Sequence, residues 1–418
     1  MNILFTADVS SAKVVGGAER VLLEQSTRLA ARGHSIHLIT RRLPEHRGER
    51  ETIQGVEEIR CAFEPKGGLR STAETWRQAR RHLVRLHEQM HVDVLNIHQP
   101  LTAFGLISKA AALGIPRVYT CHSLSAEEYL SRHTGCGPAG RVLRRMRAEG
   151  RNWIEGRVLR RCHRIVALSR YTQEKLRRVH GIPNNRVEVV PGGVDLGRFH
   201  PAADKAAARR ELSIPEDRFV LLTVRNLVPR MGLDRLVLAM QAAAAKIPQS
   251  FLVIGGHGPL RDELQALVNH LGLQNHVRMA GFIPEDTLAC YYQMADLFVL
   301  PSLDLEGFGM VTLEALACGL PVLGTPVGGT REILTRWDER FLLNDGRPQT
   351  LAQGIIDCHR RLDARPGQAA RISRYCREFV ENHYSWDRNV AALESILLGA
   401  RQPMPGPRGV LRAGEVGR

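Results

Sequence analysis

The chain reads as an α/β protein made of two doubly wound parallel-sheet domains facing an interdomain cleft. Three observations carry that reading. Strand-like apolar runs alternate with helix-like amphipathic runs, the pattern of crossover units in a parallel sheet. The alternation pauses at a Pro/Gly cluster, PGGVDLGRFHP (191–201), and then starts afresh. At 418 residues the chain also exceeds the size at which a single core stops growing.

In the first half, strands are expected at 3–7, 35–39, 94–97, 117–120, 165–168 and 187–190. Helices are expected at 18–32, stopped by Gly33, and at 105–113, stopped by Gly114. WRQARRHLVRLHEQM (76–90) spaces Trp76, Ala79, Leu83, Leu86 and Met90 as one apolar helix face, with arginines outward. The second half gives FVLLTV (219–224), a helix at 233–246, SFLVIG (250–255), a helix at 260–270 and VRMAG (277–281). A helix at 285–294, DLFVLPS (296–302), a helix at 310–318 and PVLGT (321–325) follow. The end, GARQPMPGPRGVLRAGEVGR (399–418), is Pro/Gly/Arg-rich without periodicity and is expected to be disordered.

Charge separates the halves. Residues 1–200 hold 33 Lys and Arg against 19 Asp and Glu, while residues 201–418 hold 25 against 24. RVLRRMRAEGRNWIEGRVLRR (141–161) alone has eight arginines and two glutamates. One reading is a solvated helix face; the other is a footprint for an anionic phospholipid surface, a lipid-linked phosphate or nucleic acid. With aromatics at 5% and no recognised binding motif, no nucleic-acid partner is expected. No stretch nears 18 uninterrupted apolar residues, so no spanning helix is expected. MNILFTADVS reads as a first strand, not a signal peptide. The eight scattered cysteines lack a CxxC pair; they suggest neither zinc nor a disulfide framework and fit a reducing cytoplasm.

LEGFGMVTLEALACGLPVLGT (305–325) sets Glu306 and Glu314 eight positions apart, too far for neighbours on one helix face. One acid therefore belongs to a loop and the other to the following helix. Gly307 and Gly309 let backbone amides approach a ligand, and a helix start offers free N–H groups with partial positive charge. That combination suits a diphosphate. Glu306 would repel such an anion and belongs beyond it, while Glu314, a turn inside the helix, suits hydroxyls such as a ribose diol. The pair reads as one acid for each end of a nucleotide-sugar. Sheets of this kind bind ligands at the carboxyl ends of their strands.

EGFGMVTLEALACGLPVLGTPVGGTREIL resembles the donor-binding signature of the retaining glycosyltransferases of family 4, whose GT-B fold opposes two Rossmann-like domains. VGGAERVLLEQSTRLAARGHSIHLIT is similar to that family's first glycine loop and helix, YTCHS to its histidine-bearing strand end and PGGVD to its interdomain turn. VIGGHGPLRDEL resembles its GxGP loop, and YSWDRNVAAL its C-terminal helix. The resemblance implies an acceptor-binding domain (1–198), a donor-binding domain (199–382) and a helix (383–398) crossing back to the first. It implies catalytic roles for Glu306, near the donor sugar's 3- and 4-hydroxyls, and for His122, at the sugar or its transition state. Gly307, Phe308, Gly309, Met310 and Val311 would hold sugar and diphosphate through their amides, and Glu314 the ribose. Gly16 and Gly17 would close over the phosphates. Gly256 belongs to the GxGP loop, and Gly281, Phe282 and Ile283 would meet the base.

One stretch departs from the family pattern. Its GRL…KG-type loop offers an Arg and a Lys to the diphosphate, whereas VRNLVPRMG puts Asn226 and Met231 there, with Arg225 and Arg230 one residue aside. Each missing charge-assisted bond is worth about 1.5–3 kcal/mol unless one of those arginines swings in. No D-x-D occurs, so no metal and no cofactor are expected. The reading implied is a metal-independent retaining hexosyltransferase acting in cell-envelope polysaccharide or glycolipid synthesis. Its partners would be a nucleoside diphosphate sugar donor and a glycan or lipid-linked acceptor, with the basic half at an anionic membrane surface. Its place would be cytoplasmic or peripheral at the inner membrane face. The alternative is a nucleotide-sugar-binding protein with weak or no transferase activity. A dinucleotide oxidoreductase shares the alternation, but GGHGPL lacks the third fingerprint glycine.

Overall fold

The computed structural model describes all residues except 13–15, 44, 45, 47, 65–67, 133–137 and 402–418. Its first sheet has eight strands: β1 (Asn2–Thr6), β2 (Ser35–Arg41), β3 (Arg50–Ile53), β4 (Val56–Cys61), β5 (Val94–Ile97), β6 (Arg117–Cys121), β7 (Arg164–Ala167) and β8 (Val187–Val189). They lie in the order β3-β4-β2-β1-β5-β6-β7-β8, parallel except for β3. The second sheet has five: β9 (Phe219–Val224), β10 (Ser250–Gly255), β11 (Val277–Gly281), β12 (Leu297–Leu300) and β13 (Val322–Gly324). All are parallel, in the order β11-β10-β9-β12-β13. Both sheets are doubly wound, as the sequence predicts, though unequal in width.

Period-2 alternation fills both faces of the first sheet. Ile3 and Phe5 turn to one apolar cluster with Leu22, Leu29 and Val118; Leu4 turns to the other with Leu83, Leu95 and Tyr119. The expected apolar stripe of the helix Gly68–Met90 is buried there through Ala79, Leu83 and Leu86. The helix Trp386–Ala400 covers the first cluster through Val390, Leu393 and Leu397, although it follows the second sheet in sequence. The chain thus passes between the units twice. At the crossing Val194 N donates to Tyr384 O at 2.9 Å, and Asn389 Nδ2 to Pro191 O at 2.7 Å.

Three expectations need correction. β3 and β4 were not anticipated: they form a hairpin through Gln54 and Gly55, both at positive φ, and the stretch is too charged to read as a strand pair. The helix expected at 105–113 starts at Pro100, because Asp8, far upstream, accepts from Leu101 N at 3.1 Å and Thr102 N at 2.7 Å. The helix expected at 285–294 spans only Leu288–Met294. Seven described cysteines are free; Cys136 lies outside the described residues.

Candidate active site

In each sheet the strand order reverses between two neighbours, β1 and β5 in the first and β9 and β12 in the second. Loops leaving such a pair on opposite sides open a crevice at the strands' carboxyl ends. Arg225 follows β9 and Glu306 lies in the loop after β12, so these two meet at the second switch point. The Arg225 guanidinium bonds the Glu306 carboxylate, Ser302 Oγ at 3.1 Å and Met231 Sδ at 2.8 and 3.2 Å. Glu306 also accepts from Ser302 Oγ at 3.2 Å. Arg225, Met231 and Glu306 are all buried, while Asn226 is exposed. Of the two arginines in this loop, Arg225 therefore meets Glu306, whereas Arg230 donates to Leu305 O at 3.0 Å.

The glycine turn Gly307–Gly309 is wedged between the two units. Gly307 O accepts from Ser169 Oγ at 2.6 Å, and a Cβ on Gly307 would stand 2.5 Å from the His122 carbonyl. Gly309, at φ 92°, caps the helix Met310–Ala317, where a Cβ would overlap Thr330. The first-turn amides, including those of Met310 and Val311, have no acceptor within the helix. Phe308 is buried toward Tyr384, and Met310 lies over Gly17 and Gly192. Gly17 opens the helix Gly17–Ala31, with Gly16 at its N-cap, so the first glycine loop faces the second domain's helix start.

Glu314 is buried, accepts from Tyr292 Oη at 2.9 Å, and has its acidity weakened by burial, an effect that nearby Arg20 opposes. Arg20 and Arg198 both bond Glu285, the latter at 2.5 Å. Burial opposes ionisation of Glu285, but the two guanidiniums hold it below the usual carboxylate range. A second tie comes from Glu332, which accepts from Arg170 N at 3.0 Å and Tyr171 N at 2.7 Å.

His122 follows β6, with its Nε2 3.0 Å from Nδ1 of His98, which follows β5. Asn96 Nδ2 lies 3.2 Å from the far nitrogen of His98. Burial pushes His122 down to about 4 and His98 well below the ordinary imidazole value, so both are neutral at pH 7. The remaining predicted residues stand at or just past the ends of β10 and β11. Gly256, at φ 135°, is required because a Cβ would overlap the Arg225 carbonyl. Gly281 ends β11 at φ 75°, Phe282 is exposed, and Ile283 is buried under Gly255. Sequence reasoning missed Arg20, His98, Ser169, Tyr292 and Glu285. Only His98, in NIHQP at a strand end like His122, carried the signal used for its partner.

Comparison with known proteins identifies the family and the fold. Residues 15–198 match the model of Glycosyltransferase Family 4, and residues 204–373 that of Glycosyl transferases group 1. The chain is 32% identical over 333 residues to a D-inositol 3-phosphate glycosyltransferase of Kineococcus radiotolerans, covering 76% of this chain and 74% of that enzyme. It is 33% identical over 249 residues to a GDP-mannose-dependent alpha-(1-6)-phosphatidylinositol monomannoside mannosyltransferase of Mycolicibacterium smegmatis, covering 57% of this chain and 63% of that enzyme. Among solved structures, sucrose-phosphate synthase from Thermosynechococcus elongatus superposes with a TM-score of 0.78 at 24% identity, over 95% of this chain and 98% of that one. Anabaena HepE in complex with UDP and glucose superposes with 0.73 at 19%, over 96% and 100%.

Proposed function

The chain belongs to the group 1, family 4 glycosyltransferases, and from that premise we propose that it moves a hexose from a nucleoside diphosphate sugar to a hydroxyl of a phosphate-bearing or lipid-linked acceptor, retaining anomeric configuration. The observation that carries this reading is the buried Arg225–Glu306 pair at the switch point of the second sheet, ahead of the helix Met310–Ala317. Arg225 supplies from one residue aside the charge that Asn226 and Met231 lack. When donor enters, the guanidinium turns toward the leaving diphosphate, and the first amides of the helix add their partial positive charge. Glu306, released, accepts sugar hydroxyls. Glu314 takes the ribose diol.

The acceptor oxygen attacks the anomeric carbon on the face from which the nucleoside diphosphate departs. The glycosidic bond forms as the bond to diphosphate breaks, and a diphosphate oxygen takes the acceptor proton. His122, neutral through burial, serves as a hydrogen-bonding group at the sugar and adds no charge. The acceptor side is the first unit, where Arg41 and Arg151 stand near Asp8 after β1. Relatives named for inositol phosphate and phosphatidylinositol mannoside substrates support a phosphate-bearing acceptor. UDP in HepE and GDP-mannose in the mycobacterial relative support a nucleoside diphosphate donor.

Thermal shift against UDP, GDP and ADP sugars identifies the donor, because a ligand held only by the folded state raises its stability. NMR of the product anomer then tests the mechanism. An inverted product overturns it; donor binding with neither transfer nor donor hydrolysis selects the nucleotide-sugar-binding alternative.

A further inference from the structure

The helix Pro138–Arg160 lies outside the site just described and carries an exposed apolar face, whose Trp153 ring also lies 5.6 Å from that of Phe104. Val142 is 63% exposed, Met146 66% and Trp153 59%, and Leu143 beside them is 49% exposed. At 3.6 residues per turn these four share roughly a third of the helix circumference. Ala148, Glu155, Val158 and Leu159 turn to the core. Exposed Arg141 and Arg145 flank the apolar face on one side and Arg147 on the other; Glu149 is the one carboxylate between 140 and 154. Monomeric surfaces rarely leave such side chains together in water without a partner.

The helix also has a defined position. Its last carbonyls meet the start of β6, where Arg117 Nε donates to Arg161 O at 2.8 Å. Further up, Glu155 accepts from Tyr119 Oη at 3.0 Å in mid-strand. Higher still, the Arg151 guanidinium sits 4.7 Å over the Tyr129 ring, in the helix Ser125–Arg132 beyond the end of β6. The helix therefore runs antiparallel to β6, and residues 141–147 stand about 6–15 Å past Arg151 at 1.5 Å per residue. That is the carboxyl edge of the sheet, on the cleft side.

We infer that this helix face docks on an anionic phospholipid bilayer, with Val142, Leu143, Met146 and Trp153 in the headgroup–acyl boundary and Arg141, Arg145 and Arg147 against lipid phosphates. Charge complementarity selects this occupant: an apolar strip bordered by arginines fits a surface that is at once greasy and negative. Docking seats the acceptor side of the cleft at the membrane, a consequence that rests on the proposed transferase reading, whereas the lipid binding itself does not.

Co-sedimentation of the full chain with phosphatidylcholine vesicles, with and without phosphatidylglycerol, tests the inference at low and high salt. Binding is expected to the anionic vesicles only and to weaken with salt. The Met146→Glu and Trp153→Glu variants, and separately the paired Arg145→Glu, Arg147→Glu variant, are each expected to lower apparent vesicle affinity about tenfold or more. Melting temperature and donor hydrolysis should be unchanged in all of them. No binding of the parent chain at low salt overturns the inference. So does loss on arginine reversal without loss on apolar-to-Glu change, the signature of a purely electrostatic nucleic-acid or acidic-protein partner. Donor hydrolysis without vesicle binding defeats the docking alone; vesicle binding without donor hydrolysis defeats the transferase reading alone.

Discussion

Arg225 is the residue proposed to supply, from one position aside, the charge that Asn226 and Met231 lack. The loop sequence offers Asn226 and Met231, and the fold turns Arg225 inward onto Met231 Sδ, Ser302 and Glu306. Arg225→Ala is expected to lower kcat/KM about ten- to a hundredfold, the loss of one charge-assisted contact to a diphosphate. Arg225→Lys should recover part of it, since a point charge replaces a forked donor. Steady-state kinetics with the preferred donor measures both, and an unchanged alanine variant removes Arg225 from the site. His122 gives a pH test. Its value is about 4 folded against 6.5 unfolded, so the unfolded chain takes up the proton first. The resulting stability is complete above pH 6.5, falls as pH drops, and is gone near pH 4, a loss of up to about 3 kcal/mol. Urea unfolding of the parent chain and His122→Asn at pH 7 and 4.5 should show a shallower pH dependence for the variant. His122 was legible from its strand-end position. Arg20 was not, because nothing local distinguishes it from any solvated helix arginine.

At the scale of elements, Ser169 performs two tasks at one turn. Its Oγ accepts from Thr172 N at 3.1 Å as the N-cap of the helix Arg170–His180, and donates to the Gly307 carbonyl at 2.6 Å. Ser169→Ala should cost about 1 kcal/mol through the cap alone. It should also raise donor KM, because the glycine turn loses its anchor; a fall in melting temperature with unaltered KM would confine Ser169 to capping. Most strands of both sheets were legible because burial on two faces leaves continuous apolar runs. The β3–β4 hairpin was not, since edge strands tolerate charge. Nor was the start at Pro100, where the capping carboxylate comes from Asp8 in a remote loop.

The whole molecule is two sheets whose switch points face each other, joined by two crossings and by side-chain ties across the cleft. Arg20 reaches Glu285 beside buried Glu314, so removing it should loosen the closed arrangement. Arg20→Ala is expected to raise donor KM and increase the radius of gyration in small-angle scattering; a variant identical to the parent in both would reduce the tie to a surface ion pair of small worth. Ending the chain after Ser385 should expose the apolar face formed by Ile3, Phe5 and Val118, because the helix Trp386–Ala400 covers it. Loss of soluble protein is the expected outcome, and a folded, soluble product would show that the first sheet stands without it. By itself the sequence determined the repeated α/β pattern, the glycine turn before Met310 and the two acids beside it, since periodicity and turn chemistry are local. Only the tertiary structure decided which arginine meets Glu306, which histidine pairs with His122 and which helix closes the first sheet. Those choices depend on groups far apart in the chain whose charges and apolar faces find partners only after both sheets have formed.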